Sequence, residues 1–257
     1  MRGAVATVAV LRAALADAAA RRSAFWSQIA VMVVNDLAWV VFWLIFFGRV
    51  PMVRGWDSQR VLLLFAVLTT AAGLVLGLLS NCRRIPDLVV GGGLDEALTL
   101  PVRPLRHLLV SRVDTVNLGD VLFGVVLFTV TGHPTPARIA VYLAGCAVSA
   151  VLLTSFLVAI GSSVFLTGRG EAAGLGMHAI LLLASYPADI FTGTVKALLY
   201  TAVPAAFVAA VPARLIDAPT FADAAWFVAA AAGFAVLAGV CFTLGLRRYA
   251  SGSTWSA

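Results

Sequence analysis

The sequence predicts an all-α fold, a polytopic helical membrane protein, and three observations predict it. First, 61% of the residues are hydrophobic and 12% charged, with a mean hydropathy of +1.00, whereas a soluble domain carries roughly 25% charged residues. Second, uncharged runs cover 61–82, 139–168, 172–188, 197–213 and 224–246, and a helix needs about 20 apolar residues to cross a bilayer. Third, polar segments interrupt these runs, and the longest of them is GGGLDEALTLPVRPL, residues 91–105.

Taken in order, residues 1–27 read as an alanine-rich interfacial helix on the cytoplasmic face, with Val8, Leu11 and Leu15 on one side. The apolar AVATVAVL is cut short by Arg12 and Asp17 and followed by Arg21 and Arg22. A cleavable signal places its charges before the apolar core, so none is expected. Trp26 marks the interface, and six spans occupy 28–246 of a single transmembrane domain, 1–257. Its first span is 29–47, followed by a loop, 48–60, that holds Pro51 and Trp56. The second span is 61–79, the third 113–130 and the fourth 139–166; GHPTP (132–136) and TGRGE (167–171) are polar turns. The fifth span runs from 172 to the Tyr186-Pro187 pair, and the sixth covers 222–246 before a tail, 247–257.

Lys and Arg orient the chain. With the N-terminus inside and six spans, twelve fall inside (1–28, 81–112, 167–171, 247–257) and six outside, as the positive-inside rule requires. Both termini are therefore expected in the cytoplasm. The apolar segment 193–212 is short, and Pro204 and Pro212 remove backbone donors that hydrocarbon cannot replace. Counted as a seventh span it would leave eleven inside and seven outside. We read it as a re-entrant hairpin on the outer side, before the last span.

Several function classes fall away. The net charge of +6 does not point to nucleic acid, because no basic patch stands apart from the spans. Such residues report orientation and contact with anionic membrane lipid. Cys82, Cys146 and Cys241 are scattered and read as small apolar residues; with His107, His133 and His178 in different segments, no metal site is expected. GRGEAAG (168–174) lacks the Lys-Ser/Thr of a phosphate-binding loop, and the glycines at 91–93 run into carboxylates that repel phosphate. Ser162 and Ser163 have no evident base, so no catalytic residue is proposed.

Ionisable residues within spans carry more information. Asp36 lies in the first predicted span, and Asp114 and Asp120 open the third. A charge at the bilayer centre costs roughly 2.5–3.5 kcal/mol on insertion scales, so each should face protein, water or the interface. One reading is a proton relay or cation site. The favoured one is structural pairing with Arg83, Arg84 or Arg112 near the inner surface. Trp39, Phe42, Trp43, Phe46 and Phe47 form an aromatic patch that needs no function beyond facing lipid or helices.

In 91–105, glycines and prolines bound a helix of one to two turns at the membrane surface. Asp95 and Glu96 fall in its first turn, where the helix dipole favours carboxylates. Leu94, Leu98 and Leu100 supply apolar contacts, and Arg103 follows. This coupling helix, near 94–100, is where another protein would push on the membrane domain.

The chain resembles the membrane subunits of ABC type-2 exporters, in the branch of permeases of about this length that work with a separate ATPase. The resemblance rests on FWSQIAVMVVNDLAWVVFWLIFFG (25–48), NCRRIPDLV (81–89), GGLDEALTLPVRPLRHLLVSRVDTVNLGD (92–120), SYPADIF (185–191) and VPAAFVAAVPA (203–213). It departs at Gly91–Gly93, where relatives more often carry a charged residue before Gly-Leu-Asp. The resemblance implies a permease that moves a drug, peptide or lipid outward, in the multi-pass setting of a bacterial inner (plasma) membrane. It implies cytosolic ABC ATPase subunits that bind ATP and Mg, and a second permease copy or a related permease. No cofactor is expected on this chain itself. The other class left open is a stand-alone ion-coupled transporter using Asp36 or Asp120.

Overall fold

The computed structural model describes residues 22–249 and, ahead of them, 9–10, 12–13 and 16. Its regular elements are helices throughout these residues. Helix α1 is Arg22–Arg49, and α2 is Ser58–Ala72, extended by wider π-turns over Gly73–Leu78 and a 3-10 turn, Ser80–Arg84. Short helices α3 (Ile85–Val90), α4 (Gly93–Thr99) and α5 (Pro104–Val110) lead to α6 (Leu118–Thr131). Then come α7 (Pro136–Gly161), α8 (Val164–Thr167), α9 (Glu171–Ala184), α10 (Gly193–Tyr200), α11 (Val211–Asp217) and α12 (Phe221–Arg248).

Four helices are long and apolar enough to cross a membrane: Phe25–Arg49, Ser58–Leu78, Pro136–Thr167 and Phe221–Arg248. They fall on the first, second, fourth and sixth predicted spans. The other two predicted spans are shorter helices of 14 residues each, α6 and α9. Helix α6 begins at Leu118 rather than at 113 because the preceding turn is used in stitching. Asp114 N–H donates to Gly77 O (2.8 Å) and Val116 N–H to Asp114 Oδ1 (3.1 Å). The predicted helix side of Val8, Leu11 and Leu15, and the tail beyond Tyr249, lie outside the described residues. Residues 22–27 run unbroken into α1.

Helix α2 is the axis of the packing. Asp57 caps it by accepting from Arg60 N–H (2.9 Å), and every residue from Val61 to Ala72 is buried. Helices α1, α6, α7 and α11 all pack on it. Gly73 allows a close approach: a Cβ there would lie 2.7 Å from Val121 N and 2.8 Å from Asn117 O. Nearby, Tyr142 of α7 stacks on Phe128 of α6, ring centroids 3.9 Å apart, and its hydroxyl bonds that of Thr70 (2.5 Å). One aromatic pair thus joins three helices.

Predicted as a hairpin, 193–212 consists of α10, a turn, and a second arm that starts with π-turns, Ala206–Ala210, and continues as α11. Residues 205–213 are buried against α2 and α7. Pro212 follows directly on the π-turns, a local widening that accommodates its missing N–H within the helical arm.

Candidate functional site

Helix α4 is set by its borders. Gly92 takes the left-handed conformation (φ 76°) that lets the chain turn sharply out of α3. Leu100 is already extended (φ −82°, ψ 143°), and Pro101 and Pro104 follow. Asp95 and Glu96 occupy the first turn, and Thr99 Oγ1 donates back to Glu96 O (2.8 Å). Leu94 and Ala97, three apart on the helix, are buried, while Glu96, Leu98, Thr99 and Leu100 are exposed. Arg103 is exposed beyond them, and Asp95 is half-buried.

This changes the role expected of Leu94. It is completely buried in the core cluster, so it anchors α4 and is unavailable to a partner. The leucines that face outward are Leu98 and Leu100, 40% and 37% exposed. With Glu96 and Arg103 they form a small mixed surface beside α3 and α5.

Beneath this surface the end of α2 is tied to the chain that leads into α6. Asn81 Nδ2 donates to Leu108 O and Ser111 Oγ, both at 2.9 Å, and Ser80 Oγ donates to Arg112 O (2.9 Å). Arg83 and Asp114 form an ion pair. These bonds hold α5 and the loop after it against the end of α2. Sequence reasoning assigned no part to Ser80 and Asn81; the only signal was two polar residues at the end of a long apolar run.

The three aspartates divide. Asp114 takes the arginine partner that was expected. Asp36 and Asp120 do not: both are buried (3% and 4% exposed) and, among the described residues, neither forms an ion pair with Arg83, Arg84 or Arg112. Their carboxyls interact with each other instead, with Asn35 beside Asp36, and Asp36 Oδ2 and Asp120 Oδ1 are buried without a hydrogen-bond partner among the described residues. The reason is position. Arg83 lies in the turn beyond α2 and meets the loop residue Asp114, whereas Asp120 is already inside α6, which packs on α1.

A second polar cluster lies at the other end of α2. Asp189 Oδ2 accepts from Trp56 Nε1 and from Arg214 (3.0 Å each), and its Oδ1 accepts from Lys196 Nζ (2.7 Å). Arg214 also donates to the Tyr200 hydroxyl (3.1 Å). Burial alone would raise the Asp189 pKa. Hydrogen bonds from Lys196 and Trp56, with the charges of Arg214 and Lys196, outweigh it and hold the carboxyl below the usual range. Beside it Arg60 pairs with Asp217 (2.9 Å), around a groove of about 340 Å³. Asp189 stands in the SYPADIF stretch, whose sequence gave no hint that three donors from three segments would converge there.

Among the described residues no group of three His, Cys, Asp or Glu side chains is placed to hold a metal. Fold and surface together define a multi-pass helical membrane protein with a small surface helix packed against α3 and α5. The chain belongs to the ABC-2 family transporter proteins, whose family model matches residues 33–253. No curated protein and no solved structure matches it. Members of this family are membrane components that lack an ATPase site of their own and work with a partner ATPase.

Proposed function

We propose that the chain is the permease subunit of an ATP-binding-cassette exporter that moves a substrate such as a drug, peptide or lipid outward. A separate cytosolic ATPase binds ATP and Mg and docks on α4. A second permease copy, or a related permease, completes the pathway. In this reading six spans cross a bacterial inner membrane with both termini inside, and 193–212 re-enters from the outer side.

The observation that supports it best is the split of α4. Leu94 and Ala97 are locked into the core, while Leu98 at the edge of that face and Leu100 just past the helix end are exposed. An element held from below and apolar above can pass a push to α2, because packed elements move as units. Leu98→Ser with Leu100→Ser should leave folding intact and abolish copurification of the ATPase. Each buried Leu is worth roughly 1.5–3 kcal/mol to a complex. Undiminished copurification would show that the partner docks elsewhere.

A second reading has one observation in its favour, the facing pair Asp36 and Asp120 inside the helix bundle. In it the pair couples transport to an ion gradient without an ATPase. Purified chain in proteoliposomes, given only a proton gradient, separates the two. The exporter reading expects no transport.

A further inference from the structure

Helices α7 and α12 pack along their lengths and part where α8 follows α7, leaving a groove of about 450 Å³. Its walls include Ala159, Leu166 and Leu244; the two leucines are 64% and 54% exposed, so the groove opens onto the membrane-facing side. Its base is firm. Phe165, buried behind it, packs edge-on against Phe242 and Tyr249, at 5.8 and 6.1 Å. At one end stand Arg247 and Arg248, the last residues of a 28-residue apolar helix. Arginines there sit at headgroup level.

The donors decide what fits. Ser162 and Ser163 also line the groove, but their hydroxyls donate to Val158 O and Ile160 O, both at 2.7 Å. Among the described residues no carboxylate pairs with Arg247 or Arg248. The N–H groups left to bind a ligand are therefore two guanidiniums, whose planar forks match phosphate oxygens. A ligand that is anionic at one end and apolar along the rest satisfies both parts of the groove.

We propose that this groove binds an anionic phospholipid, its phosphate between Arg247 and Arg248 and an acyl chain along Leu166 and Leu244. The proposal rests on the membrane character of the fold and is independent of the export reading. Basic residues at the ends of spans attract anionic lipid. A zwitterionic lipid adds a cation that both arginines oppose.

Cys241 lines the same groove and is half-buried, while Cys82 and Cys146 are buried, so thiol labelling reads the site in the full native chain. The chain is placed in mixed micelles with phosphatidylglycerol or phosphatidylcholine at equal mole fraction. N-ethylmaleimide modification of the Cys241 peptide is then followed by mass spectrometry. Phosphatidylglycerol should slow labelling roughly tenfold more than phosphatidylcholine. Arg247→Gln with Arg248→Gln should erase that difference, and Arg54→Gln, at the other end, should keep it. Should the double variant misfold, raising salt from about 0.05 to 0.5 M on the unaltered chain should remove the difference by screening. Equal protection by both lipids, or protection that survives the double variant, overturns the proposal. So does protection that rises with protein concentration regardless of lipid, which means a second copy fills the groove. Protection by glycerol phosphate alone would overturn it too, as a free phosphate site.

Discussion

The stretch Ser58–Leu78 and helix α12, Phe221–Arg248, have mean hydropathies of 2.5 and 2.2, yet 89% of the apolar stretch is buried in the first and 22% in the second. The first is closed on all sides by protein. The second buries a single stripe, Phe227, Ala231, Ala238, Phe242 and Gly245, and turns Trp226, Val236 and Leu244 outward. Hydropathy records that both prefer to leave water. It carries no record of whether lipid or protein receives them, since hydrocarbon is as apolar as leucine. The distinction comes from packing: close approach at Gly73 and the Thr70–Tyr142–Phe128 junction draw α6 and α7 onto α2.

The contrast can be broken most severely at Gly73. Gly73→Leu places side-chain atoms against the backbone of Val121 and Asn117, which cannot rotate away. The expected result is no folded, monodisperse protein in detergent, whereas Gly233→Leu on α12, with open space around it, should purify normally. Next, Leu64→Ala removes a fully buried side chain and should cost about 2–5 kcal/mol. Val236→Ala on α12 should stay within about 0.5 kcal/mol. Thermal unfolding of the two variants side by side measures the difference, and equal losses would mean that α12 is covered as completely as α2.

Asp120 tests the contact between α1 and α6. Asp120→Ala leaves Asp36 buried without its partner and should cost about 1–3 kcal/mol. Asp120→Asn supplies an N–H donor to Asp36 and should keep the melting temperature close to that of the unaltered chain. A stabilised alanine variant would mean that the two carboxyls repel in the folded state.

The smallest effect is expected at Asp189. Its folded-state pKa lies below the unfolded one, so its stabilisation is present above the unfolded value and is lost as pH falls through the folded one. With the ordinary value at 3.8, the stability difference between the unaltered chain and Asp189→Asn should hold above about pH 5 and shrink below about pH 4. A difference that is constant across this range would remove Asp189 from the account of that cluster.

How much of this was legible follows from what each feature depends on. Three of the four long helices were readable because uncharged runs need only length; the first carries Asp36 and was read from its apolar, Trp- and Phe-rich stretch. The rotation of α4 was not. Leu94 and Leu98 share a face by spacing, yet the left-handed turn at Gly92 aims Leu94 and Ala97 inward and leaves Leu98 at the edge. The partners of the aspartates divided on the same ground. Asp114 is near Arg83 because the chain turns back at α3 to α5, whereas Asp36 meets Asp120 only through the docking of α1 on α6. Tertiary contacts of that kind leave no local signature. The cluster around Asp189 is likewise built from segments that meet only when the fold is complete.

The brevity of α6 has a consequence for the surrounding bilayer. Fourteen residues rise about 21 Å, against a hydrocarbon layer of about 30 Å. Leu122, Val126 and Val130 are exposed on its outer side. On the six-span reading, the bilayer beside this helix must thin, at fractions of a kcal/mol per Å, while the longer α12 meets the membrane at full thickness. The annulus is then deformed on one flank and relaxed on the other. Acyl-chain length thereby becomes a mechanical load on α6 and, through Gly73, on the central helix: a thinner membrane relieves it, and a thicker one adds to it.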